Sequence, residues 1–388
     1  MAEREPVVHG HCDEQFAGVR AAFEENVRDR DELGAAVTVT VGGRSVVDLW
    51  GGWADAARTR PWERDTVVNV WSTTKGPVAL CAHLLADRGL LDLDAPVARY
   101  WPEFAAAGKE HIPVRQLLSH RAGLSGPRAP HSLDDLYDWD VTTERLAAME
   151  PWWEPGTISG YHSVTYGFLV GEVIRRITGL RPAAFLAQEV TGPLGIDFTI
   201  GLAEKEAGRV AELVSPPAPS DSEQAAIFSQ LTLPALAAVA NPPVGAAEAN
   251  SDAWRAAEIP AANGHGTARA IAALYGVFAG RGVLDGHRVL SAEAAERARE
   301  SQGSCRDLVL GAGLGHDTEA GLGLWLSGPY GSYGPNPRAF GHDGFGGSCG
   351  LADPEAEVAL GYVMNRMGPH ICDDPRKMAL VAAVYEAL

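Results

Sequence analysis

The sequence predicts an α+β fold in which a mainly antiparallel sheet, flanked by helices, is built from both ends of the chain, with a helical lobe inserted between them. Strand patterns cluster near the two termini, whereas the periodic segments in between repeat with the spacing of helices. We therefore expect an α/β lobe from residues 1–70 and 265–388 and a mainly helical lobe from residues 71–264, which together form one unit.

The N-terminal end predicts one helix and one β-hairpin. The helix is expected near residues 13–30. Residues 35–41 (AAVTVTV) alternate and are rich in β-branched side chains, and residues 45–50 (SVVDLW) follow after the turn signal Gly42-Gly43. These two runs are expected to pair as neighbouring strands.

The C-terminal end predicts a second hairpin and a closing helix. Residues 348–353 (SCGLAD) and 357–365 (EVALGYVMN) both have strand character and are separated by a short Pro-Glu-Ala turn. Residues 375–388 then repeat with helical spacing. The sheet is therefore expected to draw strands from both hairpins.

Two apolar stripes with helical spacing stand out in the middle of the chain. The first ends at Gly89 and the second at Gly179. Residues 203–264 differ, being rich in Pro, Ala, Ser and Asn without sustained periodicity, so we expect a long loop there. The stripes consist of Val78, Cys81, Ala82 and Leu85, and of Leu169, Val170, Val173, Ile174 and Ile177.

Composition excludes several classes of protein. The 388 residues carry 32 Lys plus Arg against 50 Asp plus Glu, a formal net charge of −18, which makes nucleic acids and anionic membranes poor partners. The 5 cysteines are scattered without a CxxC pair, so neither a disulfide framework nor a zinc ribbon is expected. Because no apolar run is long enough for a membrane span and MAEREPVV does not resemble a secretory signal, we expect a soluble, cytoplasmic protein.

A short motif, WSTTKG at residues 71–76, places a serine three residues before a lysine at the start of the first stripe. Positions i and i+3 are neighbours on a helix, so the Ser72 hydroxyl and the Lys75 amine are expected within reach of each other. A serine needs an adjacent base to become a good nucleophile, and free N–H groups at a helix N-terminus favour an anion that develops there. Taken alone, the motif is a weak signal because serine and lysine are common, and a capping serine with a solvated lysine is the more frequent explanation.

Two further segments strengthen the motif. Residues 159–179 (SGYHSVTYGFLVGEVIRRITG) carry Tyr161 and Ser163 before the second stripe, and residues 340–350 (FGHDGFGGSCG) form a glycine-dense run before the second hairpin. The motifs occur in the order SxxK, then Tyr-x-Ser or Tyr-x-Asn, then a [KHW]-x-Gly triplet. With this order the sequence resembles the class C β-lactamases and their esterase relatives, above all the family VIII carboxylesterases. The resemblance covers the chain from about residue 15 onwards.

The resemblance implies a β-lactamase-like fold and a role for each matched residue. Ser72 matches the nucleophile, Lys75 the amine that helps to deprotonate it, and Tyr161 the phenol that shares the base role and returns the proton to the leaving group. The oxyanion hole would be formed by the backbone N–H groups of Ser72 and Phe345. No cofactor or metal is implied, and the expected substrate-binding residues are Ser163, His342, Gly344, Phe345 and Trp153.

Two departures from the β-lactamase pattern indicate the substrate. A His-Asp-Gly triplet at residues 342–344 stands where a β-lactamase has Lys-Thr-Gly, and Tyr-His-Ser at residues 161–163 stands where it has Tyr-x-Asn. Because the cation and the amide that would hold a β-lactam are missing, we expect a carboxylesterase that hydrolyses short to medium-chain esters through an acyl-enzyme on Ser72. The alternative is an acyltransferase that delivers the same acyl group to an amine or alcohol. A β-lactamase or D-Ala-D-Ala peptidase, or a non-catalytic binding protein, fits the residues less well.

Aromatic residues flank the matched motifs and have two explanations. They either belong to the core or line an apolar acyl pocket over which residues 203–264 form a wall or lid. Gly344 would leave room for the acyl group. The aromatic residues concerned are Trp71, Trp152, Trp153, Trp325 and Phe345.

Three other patterns have simpler explanations. Residues 346–350 spell GxSxG, but Ser348 precedes a predicted hairpin, whereas that α/β-hydrolase motif needs a strand, a sharp turn and a helix. His9, His11 and Cys12 lack a second ligand group at zinc-like spacing, so a frayed terminal segment is expected there. His120, in LLSHRAG, is expected to be a buried structural histidine.

Overall fold

The computed structural model describes residues 7–220, 222, 229–314, 317–328 and 331–388. No helix within these ranges is both long enough and apolar enough to cross a membrane. The strands are β1 (Val8–Cys12), β2 (Gly34–Val41), β3 (Arg44–Gly52), β4 (Val68–Asn69), β5 (Phe198–Ile200), β6 (Gly264–Gly266), β7 (Val283–Leu284), β8 (His287–Arg288), β9 (Ser304–Cys305), β10 (Thr318–Glu319), β11 (Trp325–Leu326), β12 (Phe340–Asp343), β13 (Cys349–Asp353) and β14 (Val358–Met364).

The described α-helices are α1 (Ala17–Asp29), α2 (Lys75–Asp87), α3 (Val114–Leu118), α4 (Leu133–Tyr137), α5 (Trp139–Ala148), α6 (Thr165–Thr178), α7 (Pro182–Leu186), α8 (Leu233–Ala240), α9 (Ala246–Ala249), α10 (Asp252–Ala256), α11 (Ala268–Ala279), α12 (Ala292–Arg297), α13 (Gly311–Leu314) and α14 (Pro375–Glu386). Short 3-10 helices occur at Glu14–Phe16, Trp71–Thr74, Val97–Arg99, Pro102–Gly108 and Glu204–Arg209, and a π-helical turn at Ala187–Thr191.

Seven strands form one antiparallel sheet in the order β1-β3-β2-β14-β13-β12-β11. Strands β2 and β3 are the predicted N-terminal hairpin, and β13 and β14 are the predicted C-terminal hairpin. Strand β2 pairs with β14, which joins the two ends of the chain at the centre of the sheet. The α+β fold with a sheet built from both termini is therefore confirmed.

Helices cover both faces of this sheet. Helix α11 packs on β2, β13 and β14, and helices α1 and α14 pack against each other. On β14, Gly361 faces α11, whereas the next residue, Tyr362, points the other way and donates a hydrogen bond from its hydroxyl to Glu32, just after α1. All seven residues of β14 are buried because both faces are covered.

A buried ion cluster joins the two terminal segments on the α1 side of the sheet. Arg376 lies 3.1 Å from Glu32 and 2.9 Å from Asp374, and all three side chains are buried. Burial raises the pKa of Glu32 to about 7, although the Arg376 charge opposes the shift.

Helix α2 is the central helix of the segment between the two ends. It packs against α6, α7, α11 and α12, and every residue from Lys75 to Leu85 is buried. A helix that is enclosed on all sides has no solvated face on which a lysine could place its charge. The small sheet β4-β6-β5 lies beside its N-terminus and pairs the strands at the two boundaries of the segment.

The long loop expected at residues 203–264 is interrupted by short helices. Helices α8, α9 and α10 and a 3-10 turn fall within it, and residues 221 and 223–228 lie outside the described part of the chain. Side-chain caps explain two of these helices, because the Thr232 hydroxyl accepts from Ala235 N–H and the Ser251 hydroxyl accepts from Trp254 N–H. Helices this short carry too little periodicity to be recognised in the sequence.

The expectation of a frayed N-terminal segment is wrong. Residues Val8–Cys12 form the edge strand β1, which pairs with β3 over its whole length. His9 stacks on Trp50 with ring centroids 6.2 Å apart, and His11 Nε2 lies 2.7 Å from Asp13 Oδ1. The histidines therefore sit on a solvated edge strand.

The close packing of α11 on β14 depends on Gly361. A Cβ at this position would lie 2.2 Å from the Ala268 carbonyl oxygen and 2.6 Å from the Ala272 nitrogen, so helix and strand would have to separate. We expect Gly361→Ala to lower the free energy of unfolding by about 1–3 kcal/mol. Gly18→Ala is the control, because nothing lies within 4 Å of its Cβ position in α1.

Urea unfolding of the two variants measures the difference. The control should keep the wild-type stability or exceed it by up to about 1 kcal/mol, because alanine favours helix. Equal stability of Gly361→Ala and wild type would contradict the close contact between α11 and β14.

Candidate active site

The turn that carries Ser72 is the 3-10 helix Trp71–Thr74, between β4 and α2. Trp71 has a positive φ of 47°, a left-handed conformation that is unfavourable for a bulky side chain. Its ring contacts Trp254 and Phe345, with centroids 5.4 and 5.7 Å away. The residue before the serine is therefore strained and needs support from its surroundings.

Two buried hydroxyl groups support this turn. Ser348 Oγ donates to the Val70 carbonyl at 2.8 Å and lies 3.0 Å from Thr73 Oγ1. Tyr275, on α11, donates from its hydroxyl to the Thr73 carbonyl at 3.0 Å. Ser348 is only 1% exposed. The serine of the GxSxG pattern therefore holds the Ser72 turn in place and lies away from the cavity described below.

Lys75 is fully buried, and its amine contacts Ser72. Its Nζ lies 3.0 Å from Ser72 Oγ, 2.7 Å from the Ser163 carbonyl and 3.1 Å from the Ala261 carbonyl. The Tyr161 ring covers it at 4.7 Å, and no ion pair joins it to a carboxylate of a described residue. Burial without a counter-charge places the pKa of Lys75 well below its ordinary value.

Tyr161 faces Ser72 from the segment before α6. Burial raises the pKa of its phenol well above the ordinary value, and a hydrogen bond with Ser72 opposes the shift. Its backbone N–H donates to Asp307 Oδ1 at 3.0 Å, and the same oxygen accepts from the N–H groups of Val309 and Leu310 at 2.8 and 2.9 Å. Asp307 therefore ties Tyr161 to another wall of the site.

Three buried histidines lie beside these residues in their neutral form. Burial lowers the pKa of His162 and His342 to about 3 and that of His120 well below its usual value. The His162 ring donates from Nδ1 to the Gly160 carbonyl and accepts at Nε2 from Leu124 N–H. His162 is thus occupied by the backbone, and His120 is buried as expected.

A cavity of about 480 Å³ opens in front of Ser72 and Tyr161. Neither lysine nor arginine is among the described residues that line it, and Asp343 and Cys372 also contribute. Residues of the 203–264 segment form part of its wall. The apolar lining residues are Val164, Leu231, Ala238, Val239, Val244, Ala262, Val309, Leu310 and Ile371, with Trp71, Trp325 and Phe345.

Three of the predicted substrate-binding residues line this cavity, namely Ser163, His342 and Phe345. The His342 ring donates from Nδ1 to the Asp343 carbonyl, 2.7 Å away. Phe345 N–H makes no hydrogen bond to another described residue. Of the other flanking aromatic residues, Trp71 and Trp325 line the cavity as well.

Trp153 was predicted to bind substrate but does not line the cavity among the described residues. Its Nε1 donates to the Ile158 carbonyl at 3.0 Å, and its ring packs on Gly160, where a Cβ would lie 2.5 Å from it. Trp153 also contacts His162 edge to face. It therefore supports the Tyr161 segment from behind.

Gly344 is not among the described residues that line the cavity, and it packs against the Ser72 turn. A Cβ there would lie 2.1 Å from Ser348 Oγ and 2.3 Å from the Val70 carbonyl. The absent side chain makes room for the Ser72 turn. The glycine is thus required by packing behind the serine.

The sequence did not indicate two residues that hold the site together, Asp307 and Tyr275, and it indicated His120 only as a buried structural histidine. Asp307 caps the segment after it, and Tyr275 lies in a helix that can be predicted from the sequence. Neither local pattern indicates the distant contact, which is Tyr161 for Asp307 and Thr73 for Tyr275. His120 packs against the Tyr161 ring with centroids 4.8 Å apart. The one available signal was for Asp307, because a carboxylate just before a turn can accept hydrogen bonds from the backbone N–H groups that follow it.

A sheet built from both termini, with a serine and an enclosed lysine at the mouth of an apolar cavity, defines a serine hydrolase of the β-lactamase fold. The chain belongs to the β-lactamase family, since residues 19–383 match the family model described as Beta-lactamase.

Relatives of known name support this assignment. The Mycobacterium tuberculosis protein named Esterase/beta-lactamase LipL is 39% identical over 376 residues, which cover 93% of this chain and 83% of that protein. A crystal structure described as a family VIII carboxylesterase is 44% identical, with a TM-score of 0.92, covering 98% of this chain and 100% of its own. A penicillin-binding protein homologue from Caulobacter crescentus is 41% identical, with a TM-score of 0.90 and the same coverage.

The support that Ser348 gives the Ser72 turn can be measured. Ser348→Ala leaves the Val70 carbonyl and the Thr73 hydroxyl without this buried partner, and we expect the free energy of unfolding to fall by about 1–3 kcal/mol. Ser45→Ala is the control, because Ser45 is exposed on β3. Loss of all hydrolytic activity in Ser348→Ala at unchanged stability would contradict a structural role.

Proposed function

We propose that the protein is a carboxylesterase that cleaves uncharged short to medium-chain esters through an acyl-enzyme on Ser72. The observation that carries the proposal is the contact between Lys75 Nζ and Ser72 Oγ at 3.0 Å, inside a region where the amine has no counter-charge. The names of the relatives, esterase and carboxylesterase, agree with it.

The lowered pKa of Lys75 favours a neutral amine, and the contacts of its Nζ can accommodate one. The carbonyls of Ser163 and Ala261 can only accept, so they take the two N–H bonds of an –NH₂ group. The lone pair is then left for the Ser72 hydroxyl, which can donate to it. In this arrangement Lys75 takes the proton from Ser72 as Oγ attacks the ester carbonyl.

Tyr161 complements the lysine because it holds its proton. Because burial raises its pKa, the phenol holds its proton before the reaction and shares the base role by relaying the proton that Lys75 takes from Ser72. We propose that Tyr161 donates a proton to the departing alkoxide and regains one from the Lys75 ammonium. In deacylation, Tyr161 passes its proton to Lys75 as it takes one from the attacking water, and Lys75 returns a proton to Ser72 Oγ as the bond between Oγ and the acyl group breaks.

Backbone N–H groups are proposed to stabilise the oxyanion. Ser72 lies at the N-terminal turn before α2, and Phe345 N–H is left without a partner among the described residues. Donors held in place before the reaction need no reorganisation when charge develops on the carbonyl oxygen.

The cavity favours a substrate without negative charge. Its described lining includes Asp343, whose carboxylate is paired with the buried Lys377 at 3.1 Å, but no lysine or arginine, and His342 is neutral. A substrate carboxylate would lose its hydration there without gaining an ion pair. β-Lactams, which carry such a carboxylate, are therefore expected to be poorer substrates than simple esters.

The acyl-enzyme can be observed directly. After brief exposure to p-nitrophenyl butyrate, intact-protein mass spectrometry should detect a butyryl adduct on the Ser72 peptide of the wild-type protein and none in Ser72→Ala. The release of p-nitrophenol should fall by about 10³-fold or more in the variant. Following p-nitrophenol in the same samples covers the case in which deacylation removes the adduct quickly.

Three results would contradict the proposal in different ways. Full turnover by Ser72→Ala, or labelling of Ser348, would remove Ser72 as the nucleophile. Turnover that requires an added amine or alcohol would identify an acyltransferase. Hydrolysis of nitrocefin faster than that of the ester would identify a β-lactamase.

The pH dependence of kcat/KM tests Lys75 as the base. Activity should rise with pH as the amine loses its proton and should fall away below the pKa of Lys75, which lies well below the ordinary lysine value. The inflection belongs to the coupled Lys75 and Tyr161 pair. It should persist in His342→Phe, because the neutral His342 already has a pKa of about 3.

Lys75→Ala should reduce kcat/KM by about 10²–10⁴-fold. Loss of the ascending limb in His342→Phe, with Lys75 intact, would show that a histidine and not the lysine is the titrating base.

A further inference from the structure

The loop between strands β12 and β13 carries Phe345 and is unusually dependent on its surroundings. Gly344 N–H donates to the Ser348 carbonyl at 2.7 Å, and Gly347 N–H donates to the Gly344 carbonyl at 3.0 Å, which closes a tight turn. Gly346 and Gly347 have φ values of 89° and 129°. Two successive glycines leave the chain many other conformations, so the position of Phe345 N–H depends on what holds the turn.

Arg376, on α14, holds this turn, and every N–H bond of its guanidinium group makes a hydrogen bond. Its Nε and Nη2 donate to the two Asp374 carboxylate oxygens, both at 2.9 Å. Nη2 also donates to the Gly346 carbonyl at 3.0 Å, and Nη1 donates to Glu32 at 3.1 Å and to the Arg366 carbonyl at 2.9 Å. All five N–H bonds of the group are therefore occupied.

The ion pair lies directly against the glycine turn. A Cβ on Gly347 would lie 3.1 Å from both Arg376 Nη2 and Asp374 Oδ2. Gly368 N–H also donates to the Gly346 carbonyl, at 2.8 Å. Because Arg376 and Asp374 are buried, breaking one of these bonds would leave a charge or a carbonyl unpaired away from water.

We infer that Arg376 is a positioning residue for the proposed esterase reaction: through the Gly346 carbonyl it holds the turn in which Phe345 N–H meets the substrate oxyanion. Arg376 itself is not among the residues that line the cavity and acts only through the turn. The inference rests on the proposed function, because it uses the oxyanion role of Phe345.

Arg376→Lys tests the inference, with Arg299→Lys as the matched control. Lysine keeps the charge but cannot reach both carboxylates and the Gly346 carbonyl at once. Arg299 is equally enclosed and binds Glu296 at 2.6 Å and Glu355 at 2.7 Å, without contacting the turn. Both variants lose a buried guanidinium. Because the carboxylates around Arg299 are more exposed than Glu32 and Asp374, Arg376→Lys should lose more stability, and the two variants are therefore compared where both are folded.

Two readouts separate positioning from stability, at a temperature where circular dichroism shows both variants folded. For p-nitrophenyl butyrate, the acylation rate constant should fall by about 10- to 100-fold in Arg376→Lys and stay within about twofold of wild type in the control. Affinity for butylboronic acid, whose tetrahedral serine adduct places an oxygen at the oxyanion position, should fall with it. If Arg376→Lys does not fold, Asp374→Asn is tested instead, because this substitution weakens the ion pair that orients the same guanidinium.

The possible failures are distinguishable. Equal acylation rates and equal boronic acid affinities in the two lysine variants, with turnover that still depends on Ser72, would overturn the positioning role alone. Wild-type turnover that survives Ser72→Ala would overturn the proposed function and the inference with it.

Discussion

A lysine amine enclosed without a counter-charge is the constraint on which the rest of this site depends. Lys75 projects from a helix that is buried along the whole first part of its length, and its partners are a hydroxyl, two carbonyls and an aromatic face. A carboxylate beside Nζ would stabilise the ammonium and so remove the base. The neighbouring histidines add no charge beside the lysine, because burial keeps His120, His162 and His342 neutral.

A neutral Lys75 can deprotonate Ser72 only if the serine hydroxyl stays within reach of the amine. The residues around the Ser72 turn hold it in that position. The left-handed Trp71 is not a conformation that the turn would keep by itself. Hydroxyl groups from α11 and from the loop after β12 bond the turn, and Asp307 ties the Tyr161 segment. The sheet and the helical segment thus meet at the serine, and each supplies contacts that the other lacks.

How much of this was visible in the sequence depends on the range of each interaction. Both hairpins and both apolar stripes were predictable because strand and helix periods are local, and the motif order indicated the fold family. The edge strand β1 was missed because it is short and polar, and the helices within 203–264 because caps rather than periodicity define them. Trp153 and Gly344 were predicted to lie near the site because they are close to the motifs in the sequence. The sequence could not indicate whether each faces the cavity or packs behind the site. The cluster around Arg376 joins residues 344 positions apart, beyond any local pattern.

The pairing of β2 with β14 has a further consequence, for the way the chain folds. Strands from opposite ends form the central ladder, so pairing them closes a loop that contains most of the chain, at a cost in chain entropy that local contacts do not carry. Contacts of such long range slow folding, and this ladder is therefore expected to form late. During synthesis, β2 must wait until Val358–Met364 has left the ribosome, whereas the helices in between can already be packing against one another.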